Sequence, residues 1–426
     1  MPNLREYMEE ANKKNMSNTE NLEDRGHEAT EETTEETTEG ATEGATEGAS
    51  FEAEAFTDDD LGVDIPDIPL PSEAPPETKI EDKFASAYKF AIVGVGQGGS
   101  RLAETFWKLG YRRVAVINTA AQDLKSIKVP RENKLLVGGH GAGKDRKVAE
   151  NIFRENREDI LDFLKRTFKG GFDRALVCIG AGGGTGAGGG PVAVEIVHDL
   201  CQSYNIEASE ADARVGVVVA LPTRAEGSRV QQNAKETAET LIQQSEAGTL
   251  SPLVILDNER IKQIYPRLSV NQFWGTANTS ICSLFHLFNK IACQDSQYTA
   301  FDKADLDTIF SSGIISFGAV PVLRGDGNID ETDISHAVRD NLKKNILANI
   351  EVSTGNVAGC VVIGDRETLD DTPQESLEHG FDQLSRLLGS GSTVHRGIYH
   401  TPKKGLVIYT IIGGIKAPEQ LFDYSK

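Results

Sequence analysis

Three glycine-rich segments have the composition and the position to bind phosphate. They are Gly94–Gly99 (GVGQGG), Gly138–Lys144 (GGHGAGK) and Gly180–Gly190 (GAGGGTGAGGG). Each follows a short apolar run that predicts a strand, and each precedes a segment that predicts a helix. At such a junction the backbone N–H groups and the positive end of the helix dipole can bind an anion. Three such junctions at one sheet edge favour a nucleotide over a purely structural use of the glycines.

Two common nucleotide-binding motifs match only in part. Gly94–Gly99 loosely matches the dinucleotide fingerprint, which needs an acidic residue at the end of the second strand to hold the ribose. That predicted strand ends in Asn118, which weakens the NAD interpretation. Gly138–Lys144 matches a phosphate-binding loop up to its lysine, but Asp145 follows where Ser or Thr would ligate magnesium. Leu253–Asp257 could supply the acidic second motif, so both interpretations stay open on the motifs alone.

The order of the predicted elements is that of a parallel sheet with helices on both faces. Short apolar runs alternate with longer segments of helical periodicity from about residue 90 onward. The strands are predicted at 90–93, 113–117, 134–137, 175–179, 215–221, 253–256, 314–322, 357–363, 393–398 and 406–412. The helices are predicted at 100–109, 146–167, 228–244, 271–294, 333–346 and 375–387, with one more that opens at Pro191.

We therefore predict an α/β fold in which a long helix joins two parts. A parallel-sheet nucleotide-binding domain occupies 86–270, the central helix 271–297, and a smaller α/β domain 298–415, with a short tail at 416–426. Residues 1–85 form an acidic, low-complexity leader that is poor in apolar side chains. Because it cannot bury enough apolar surface to offset its backbone entropy, we predict that the leader is disordered.

Charge and composition exclude several classes of protein. The chain has 44 Lys and Arg against 65 Asp and Glu, and residues 1–90 alone hold 25 acidic and 7 basic residues. No strongly basic segment is present, which argues against nucleic acid as a direct ligand. No apolar run reaches the ~18–20 residues of a membrane span, and the first residues lack the apolar core of a signal peptide. Five cysteines without a C-x-x-C spacing predict reduced thiols in a cytoplasmic protein.

The glycine segment Gly182–Gly188 (GGGTGAG) resembles the signature of the tubulin and FtsZ superfamily, and the resemblance extends over about 90–421. Three features are similar to the archaeal CetZ branch: Gly-His-Gly at 139–141, Asn-Thr-Ala at 118–120, and Arg396 to Pro402. A phage-encoded relative is the alternative. Further segments resemble the nucleotide loops of the family in chain order, namely Gly94–Ser100, Asn118–Leu124, Gly139–Gly143, Pro222–Gly227 and Leu256–Arg260.

This resemblance implies GTP and GDP as ligands, with Mg²⁺ bound mainly through the nucleotide. The implied phosphate contacts are Gly96, Gln97, Gly98, Gly99, Ala142, Gly143, Gly183, Gly184, Thr185 and Gly186. Glu226 is implied at the ribose, and Asn118, Asn258 and Asn278 at the guanine edge, where an amide offers both a donor and an acceptor. Trp274 or Phe273 would supply a stacking face, and Trp274 as a core aromatic is the alternative.

The resemblance also implies that hydrolysis is completed by the acidic loop of the adjacent subunit. Asp302 and Asp305 stand directly after the predicted central helix, three residues apart on one face of a first helical turn. They could polarise a water for attack on the γ-phosphate, and Gln122 is implied as a third catalytic residue. Ala300 stands where FtsZ has Asn, and the alternative is that the two acids only cap a helix.

The function implied is that of a cytoskeletal GTPase that assembles head to tail with copies of itself. A non-polymerising GTP-binding scaffold or regulator is the alternative. The acidic leader could bind an adaptor, although a solvating spacer is the simpler interpretation.

Overall fold

The computed structural model describes residues 81–204, 214–264, 269–322, 329–343 and 351–417. Nearly all of the predicted leader and most of the predicted tail therefore lie outside the described residues. The last few leader residues are part of the folded body. Phe84 packs edge-on against Tyr111 and His286, with ring centroids 4.8 and 4.4 Å away.

Ten strands and twelve α-helices occur in the described residues. The strands are β1 Phe90–Val95, β2 Val114–Asn118, β3 Lys134–Leu136, β4 Arg174–Gly180, β5 Val215–Leu221, β6 Leu253–Asp257, β7 Ile314–Val322, β8 Val357–Gly364, β9 Thr393–His400 and β10 Leu406–Ile415. The helices are α1 Gly96–Lys108, α2 Ala121–Ser126, α3 Arg146–Glu155, α4 Arg157–Thr167, α5 Gly184–Ser203, α6 Ser228–Glu246, α7 Asn258–Ile264, α8 Val270–Ile291, α9 Lys303–Phe310, α10 Glu331–Lys343, α11 Arg366–Asp371 and α12 Gln374–Leu387.

The strands form one sheet in the order β3-β2-β1-β4-β5-β6-β7-β10-β8-β9. Strands β1 to β6 run parallel, and β7 joins β6 in parallel through the pair Leu253 and Ile314. Strand β10 lies antiparallel between β7 and β8, and β9 is parallel to β8. The predicted α/β class is thus confirmed, and both predicted layers of strands belong to a single, mostly parallel sheet.

Apolar residues on both faces of each central strand explain why helices cover the sheet on both sides. In β1, Phe90 and Ile92 belong to one hydrophobic core, whereas Ala91, Val93 and Val95 belong to the other. Successive side chains of a strand point to opposite faces, so a run without polar residues needs apolar partners on each side.

The helix that was predicted to open at Pro191 begins instead at Gly184, so the proline lies inside α5. A proline within a helix has no N–H to donate to the carbonyl four residues earlier, here that of Ala187. The buried Thr237 hydroxyl on α6 donates to this carbonyl at 3.2 Å. A neighbouring helix thus supplies the missing hydrogen bond, which lets α5 continue through the proline.

The single helix predicted over 146–167 is two helices. Asn156 separates α3 from α4 with φ −104° and ψ 21°, outside the helical region. Its side-chain amide donates to the carbonyl of Ile152 at 2.8 Å, which terminates the first helix. An asparagine side chain that bonds nearby backbone competes with the regular helical ladder.

The central helix α8 follows α7 in the chain and leads toward α9. Its 22 residues span about 33 Å at ~1.5 Å per residue. Phe285 and Phe288 on this helix are fully buried, and Phe285 stacks on Phe310 of α9 at 5.1 Å. None of the helices in the described ranges is long and apolar enough to cross a membrane.

Candidate nucleotide-binding site

A cavity of about 480 Å³ opens beyond the carboxyl ends of β1, β4 and β5. Its volume is within the ~300–1,000 Å³ that is usual for small-molecule sites. Loops that follow parallel strands meet there, as in other open α/β sheets. Most of the predicted nucleotide contacts line it, namely Gln97, Gly98, Ala142, Gly143, Gly183, Gly184, Thr185, Gly186, Glu226, Asn258, Trp274 and Asn278.

The N-termini of α1 and α5 lie at this cavity without side-chain caps. The residues at their N-cap positions, Val95 and Gly183, accept no hydrogen bond through a side chain, and neither first turn contains an acidic residue. The first N–H groups of a helix have no partner within the helix. Here they are left available to an anionic ligand, which the dipoles of both helices also favour.

The glycines of these loops do two different things. A Cβ on Gly186 would lie 2.2 Å from the Gly180 carbonyl oxygen, and one on Gly99 would lie 2.0 Å from that of Cys178. These glycines let α5 and α1 pack directly on β4. A Cβ on Gly183, in contrast, would meet nothing within 4 Å, which places this residue at the open cavity. Gly96 and Gly99 do not line the cavity, and Gly96 has φ +69°.

A pair of threonines orients the hydroxyl group of the central glycine loop. The Oγ1 atoms of Thr119 and Thr185 are 2.7 Å apart, and Thr119 is fully buried. A hydroxyl can accept one hydrogen bond while it donates another. When Thr119 is the donor, Thr185 keeps its own proton for a ligand in the cavity.

Amide and aromatic side chains also line the cavity. Asn258 and Asn278 line it, and the side chain of neither makes a hydrogen bond within the described part of the chain. Trp274 lines the cavity, whereas Phe273 packs on the hydrophobic core and meets Trp274 edge-on at 5.1 Å. Of the two aromatic candidates, Trp274 is therefore the one that borders the ligand space.

Asn118 lies beneath the cavity wall and does not line it. Its side chain is fully buried, accepts from the Ala120 N–H at 3.2 Å and donates to Asp123 at 3.3 Å. Ala120 and Asp123 do line the cavity. Asn118 thus stabilises the loop after β2 through these two hydrogen bonds. Its predicted contact with the base stays a prediction.

Glu226 is fixed at the cavity by its own loop. One carboxylate oxygen accepts from the Thr223 N–H at 3.0 Å, and the carboxylate lines the cavity. An ionised carboxylate can accept about four hydrogen bonds, so capacity remains for the two hydroxyls of a ribose.

Arg101, Asp123 and Lys144 line the cavity, although the sequence motifs do not predict them as site residues. Lys144 has φ +60°, which is uncommon for a residue other than glycine. The Asn233 amide donates to the carbonyls of Lys144 and Gly182 at 3.0 and 3.2 Å, and so ties two of the glycine loops together. The lysine that follows Gly143 is the feature of the sequence that could have predicted Lys144 as a site residue. It points there only through the phosphate-loop motif, which the chain matches in part.

Asp145 faces a helix and a cation instead of the phosphate region. It caps α3 by accepting from the Lys147 and Val148 N–H groups at 3.0 and 3.3 Å, and it pairs with Arg229 at 2.8 Å. The hydrogen bond from Val148, followed by the other contacts, lowers the pKa of the Asp145 carboxyl. Arg229 is therefore engaged by Asp145 and does not line the cavity.

The predicted catalytic acids lie away from the cavity, near the amino ends of the central strands. Asp302 is the N-cap of α9 and accepts from the Ala304 and Asp305 N–H groups at 2.8 and 2.9 Å, while Asp305 accepts from the Asp302 N–H at 3.1 Å. This is a capping box, so the capping alternative is realised in the geometry. Neither acid lines the cavity, and neither does Gln122, which is exposed on α2. Their catalytic roles stay predictions.

Helix α9 is anchored to the start of the sheet strands. Asp307 accepts from Arg174, the first residue of β4, at 2.5 Å and from the Tyr88 hydroxyl at 2.7 Å. Burial raises the pKa of the Asp307 carboxyl, but the hydrogen bonds from Arg174 and Tyr88 outweigh it and lower the pKa overall. The cavity borders the last residues of the same strands. The acids therefore lie near the amino ends of the strands, and the cavity lies beyond their carboxyl ends.

The sequence of this chain is similar to those of proteins of the Tubulin/FtsZ family. Residues 89–266 match the family model described as Tubulin/FtsZ family, GTPase domain. The chain is 28% identical over 223 residues to the cell division protein FtsZ 1 of Pyrococcus furiosus, covering 50% of this chain and 53% of that protein. It is 27% identical over 281 residues to the tubulin-like protein CetZ of Methanothrix thermoacetophila, covering 64% and 71%.

Solved structures support the same fold. The GTPγS-form protofilament of Bacillus thuringiensis serovar israelensis TubZ superposes with a TM-score of 0.68 at 18% identity, covering 80% of this chain and 91% of that one. At this identity the likeness concerns the fold alone. The chain spans about half the length of the first curated relatives that it matches.

Proposed function

We propose that this chain is a cytoplasmic GTPase that assembles head to tail into filaments, a proposal that the match of residues 89–266 to the Tubulin/FtsZ family GTPase-domain model supports. The observation that carries the proposal is the pair of uncapped helix N-termini at one cavity. Two such termini, together with the amides of Asn258 and Asn278 in the same cavity, fit a ligand that combines a polyphosphate with a purine.

Mg²⁺ would be held mainly through the nucleotide. In the described ranges, no three His, Cys, Asp or Glu side chains cluster closely enough to hold a metal ion. Mg²⁺ keeps several waters and is usually bound by phosphates plus one or two carboxylates. Asp123 and Glu226 are the carboxylates that line the cavity, and Asp123 is the candidate because Glu226 is assigned to the ribose. When bound, the ion would neutralise charge that develops on the phosphates.

The position of the acids supports catalysis between subunits. Asp302 and Asp305 cannot reach the cavity of their own chain, because α9 contacts the first residues of the strands whose last residues border the cavity. A second copy stacked on the cavity would bring its own α9 over the γ-phosphate. The two carboxylates would then position and polarise the attacking water.

Head-to-tail stacking also accounts for a filament. A contact between two different surfaces of identical subunits repeats without closing, unless its rotation returns to the start. The TubZ structure is itself described as a protofilament, and the same mode of association is proposed for this chain.

GTP turnover measured against protein concentration tests the proposal. Turnover per molecule should rise from near zero above a threshold, and the same threshold should appear in sedimentation with GTP. Asp302→Asn keeps an oxygen to cap α9 but loses the charge, so it should still sediment while turnover falls about 10²–10⁴-fold. Turnover that does not depend on concentration would contradict catalysis between subunits. GTP binding without sedimentation would favour the scaffold or regulator instead.

A further inference from the structure

A histidine from the far edge of the sheet contacts one of the two acids. The Nδ1 atom of His395, on β9, lies 2.5 Å from Oδ1 of Asp305. The other oxygen of Asp305 accepts from the Asp302 backbone N–H. A carboxylate is only an acceptor, so the proton of this contact belongs to the imidazole. The orientation of the Asp305 carboxylate is therefore fixed by two donors, one from its own loop and one from β9.

The second ring nitrogen of His395 makes no hydrogen bond within the described part of the chain. Its Nε2 atom is buried and has no hydrogen-bond partner among the described residues. A buried nitrogen without a partner is normally unfavourable. The side chain thus gains its hydrogen bonding from Asp305 alone, and its position in the fold is explained by that acid.

Strand β9 also holds the backbone of the loop that carries the acids. The Ile398 N–H donates to the Thr299 carbonyl at 2.8 Å, and the Tyr399 hydroxyl accepts from the Phe301 N–H at 2.9 Å. The Ser296 hydroxyl donates to the Ile398 carbonyl. Two of these contacts reach the backbone of the acidic loop and one involves the Ser296 side chain. His395 adds the contact from β9 that reaches a carboxylate.

We propose that His395 is a positioning residue for GTP hydrolysis, which it supports by holding the Asp305 carboxylate in the orientation that faces the neighbouring subunit. The inference rests on the proposed function, because it assumes that Asp305 acts on the nucleotide of that neighbour. Strand β9 lies outside residues 89–266, which match the GTPase domain model. Through His395 this strand would nevertheless affect the rate of GTP hydrolysis.

Two substitutions at this position separate the hydrogen bond from the bulk of the ring. His395→Phe keeps a ring of similar size and removes the donor. His395→Asn places an amide donor close to where Nδ1 stands. His400→Phe is the matched control, because His400 is an exposed residue of the same strand, does not line the cavity and makes no side-chain hydrogen bond or ion pair to the acidic loop among the described residues.

For His395→Phe we expect maximal turnover per assembled subunit to fall about 10–100-fold, by analogy with the loss of residues that orient metal ligands through a hydrogen bond. GTP affinity and the assembly threshold should stay near those of the wild type, since the cavity is remote. His395→Asn should recover most of the turnover, and His400→Phe should match the wild type. In an Asp305→Ala background, His395→Phe should add little, because its effect passes through Asp305.

Wild-type turnover in His395→Phe would overturn the inference. So would an equal loss of turnover in the Asn variant, or a full additional loss in the Asp305→Ala background. Failure of the proposed function is distinguishable from these results, because the wild type itself would then lack turnover that depends on assembly. Unchanged GTP affinity and circular dichroism in each variant report that the fold is intact.

Discussion

At the scale of single residues, the glycines of the loops around the cavity are not interchangeable. Gly186 and Gly99 are needed because backbone of β4 lies where their side chains would be, and a Cβ on Gly184 would lie 2.9 Å from the Asp145 nitrogen. Substitution at any of them disturbs packing as well as binding. Gly183 differs, because its Cβ position is open and its backbone is extended, with φ −80° and ψ 159°. It is the residue at which ligand binding can be altered without altering the fold.

Gly183→Asp and Gly183→Asn form a matched pair at this position. Both side chains are good N-caps, so both variants should keep or raise the stability of α5. Only aspartate places a charge beside the phosphate, and like charges ~4 Å apart repel by about 4 kcal/mol at an effective dielectric constant near 20. GTP affinity, measured by titration calorimetry, should be at least about tenfold weaker for Asp than for Asn. Equal affinities would mean that phosphate binds elsewhere.

The site could be predicted from sequence to the extent that a single segment carries the signal. The glycine run Gly180–Gly190 predicts both the cavity and its chemistry, because anion binding depends on local backbone geometry. The contact between His395 and Asp305 joins residues that are 90 positions apart, and no local pattern announces it. The contact of Thr119 with Thr185 is missed for the same reason.

At the scale of secondary-structure elements, α5 depends on a partner from another helix. Pro191 leaves the buried Ala187 carbonyl without its helical donor, and Thr237 replaces that donor from α6. The sequence predicts a helix start at the proline, because the preference of proline for the first turn is local. The hydrogen bond from Thr237 comes from another helix and is not visible in the local sequence. Strands β5 and β7, in contrast, have the bounds that their mostly apolar runs predict.

A double-mutant cycle measures this dependence. Thr237→Val removes the hydroxyl and leaves a buried carbonyl without a donor, which should lower the free energy of unfolding by about 1–3 kcal/mol. Pro191→Ala restores a backbone N–H at that carbonyl, so the same Thr237→Val change should have a much smaller effect in the Pro191→Ala background. Urea unfolding of the four proteins gives the coupling. Equal losses in both backgrounds would show that the hydroxyl serves another purpose.

At the scale of the whole molecule, charge is distributed very unevenly. Residues 1–90 contain 25 acidic and 7 basic residues, so neighbouring subunits of any filament would carry strongly negative segments. Like charges repel over about a Debye length, ~10 Å at 0.1 M salt and ~3 Å at 1 M. Repulsion of this kind opposes the side-by-side association of filaments.

Deletion of residues 1–80 should therefore increase bundling without changing GTP turnover per assembled subunit. Light scattering and electron microscopy should show more bundles for the truncated protein than for the full chain at low salt. The difference should shrink as the salt concentration approaches roughly 1 M. A truncated protein that no longer binds GTP would show that the segment supports the folded body, against its interpretation as a spacer.

In a filament assembled as proposed, the opposite placement of the cavity and the acids would make the two ends chemically different. One terminal subunit would present a nucleotide that no α9 covers, and the other would present Asp302 and Asp305 to water without a nucleotide next to them. A filament assembled as proposed has one fewer completed site than it has subunits. Each arrival at the cavity end completes the site of the subunit that was last before it. Hydrolysis in each subunit would then begin only after the next subunit has bound. The nucleotide of the newest subunit would remain intact until that happens.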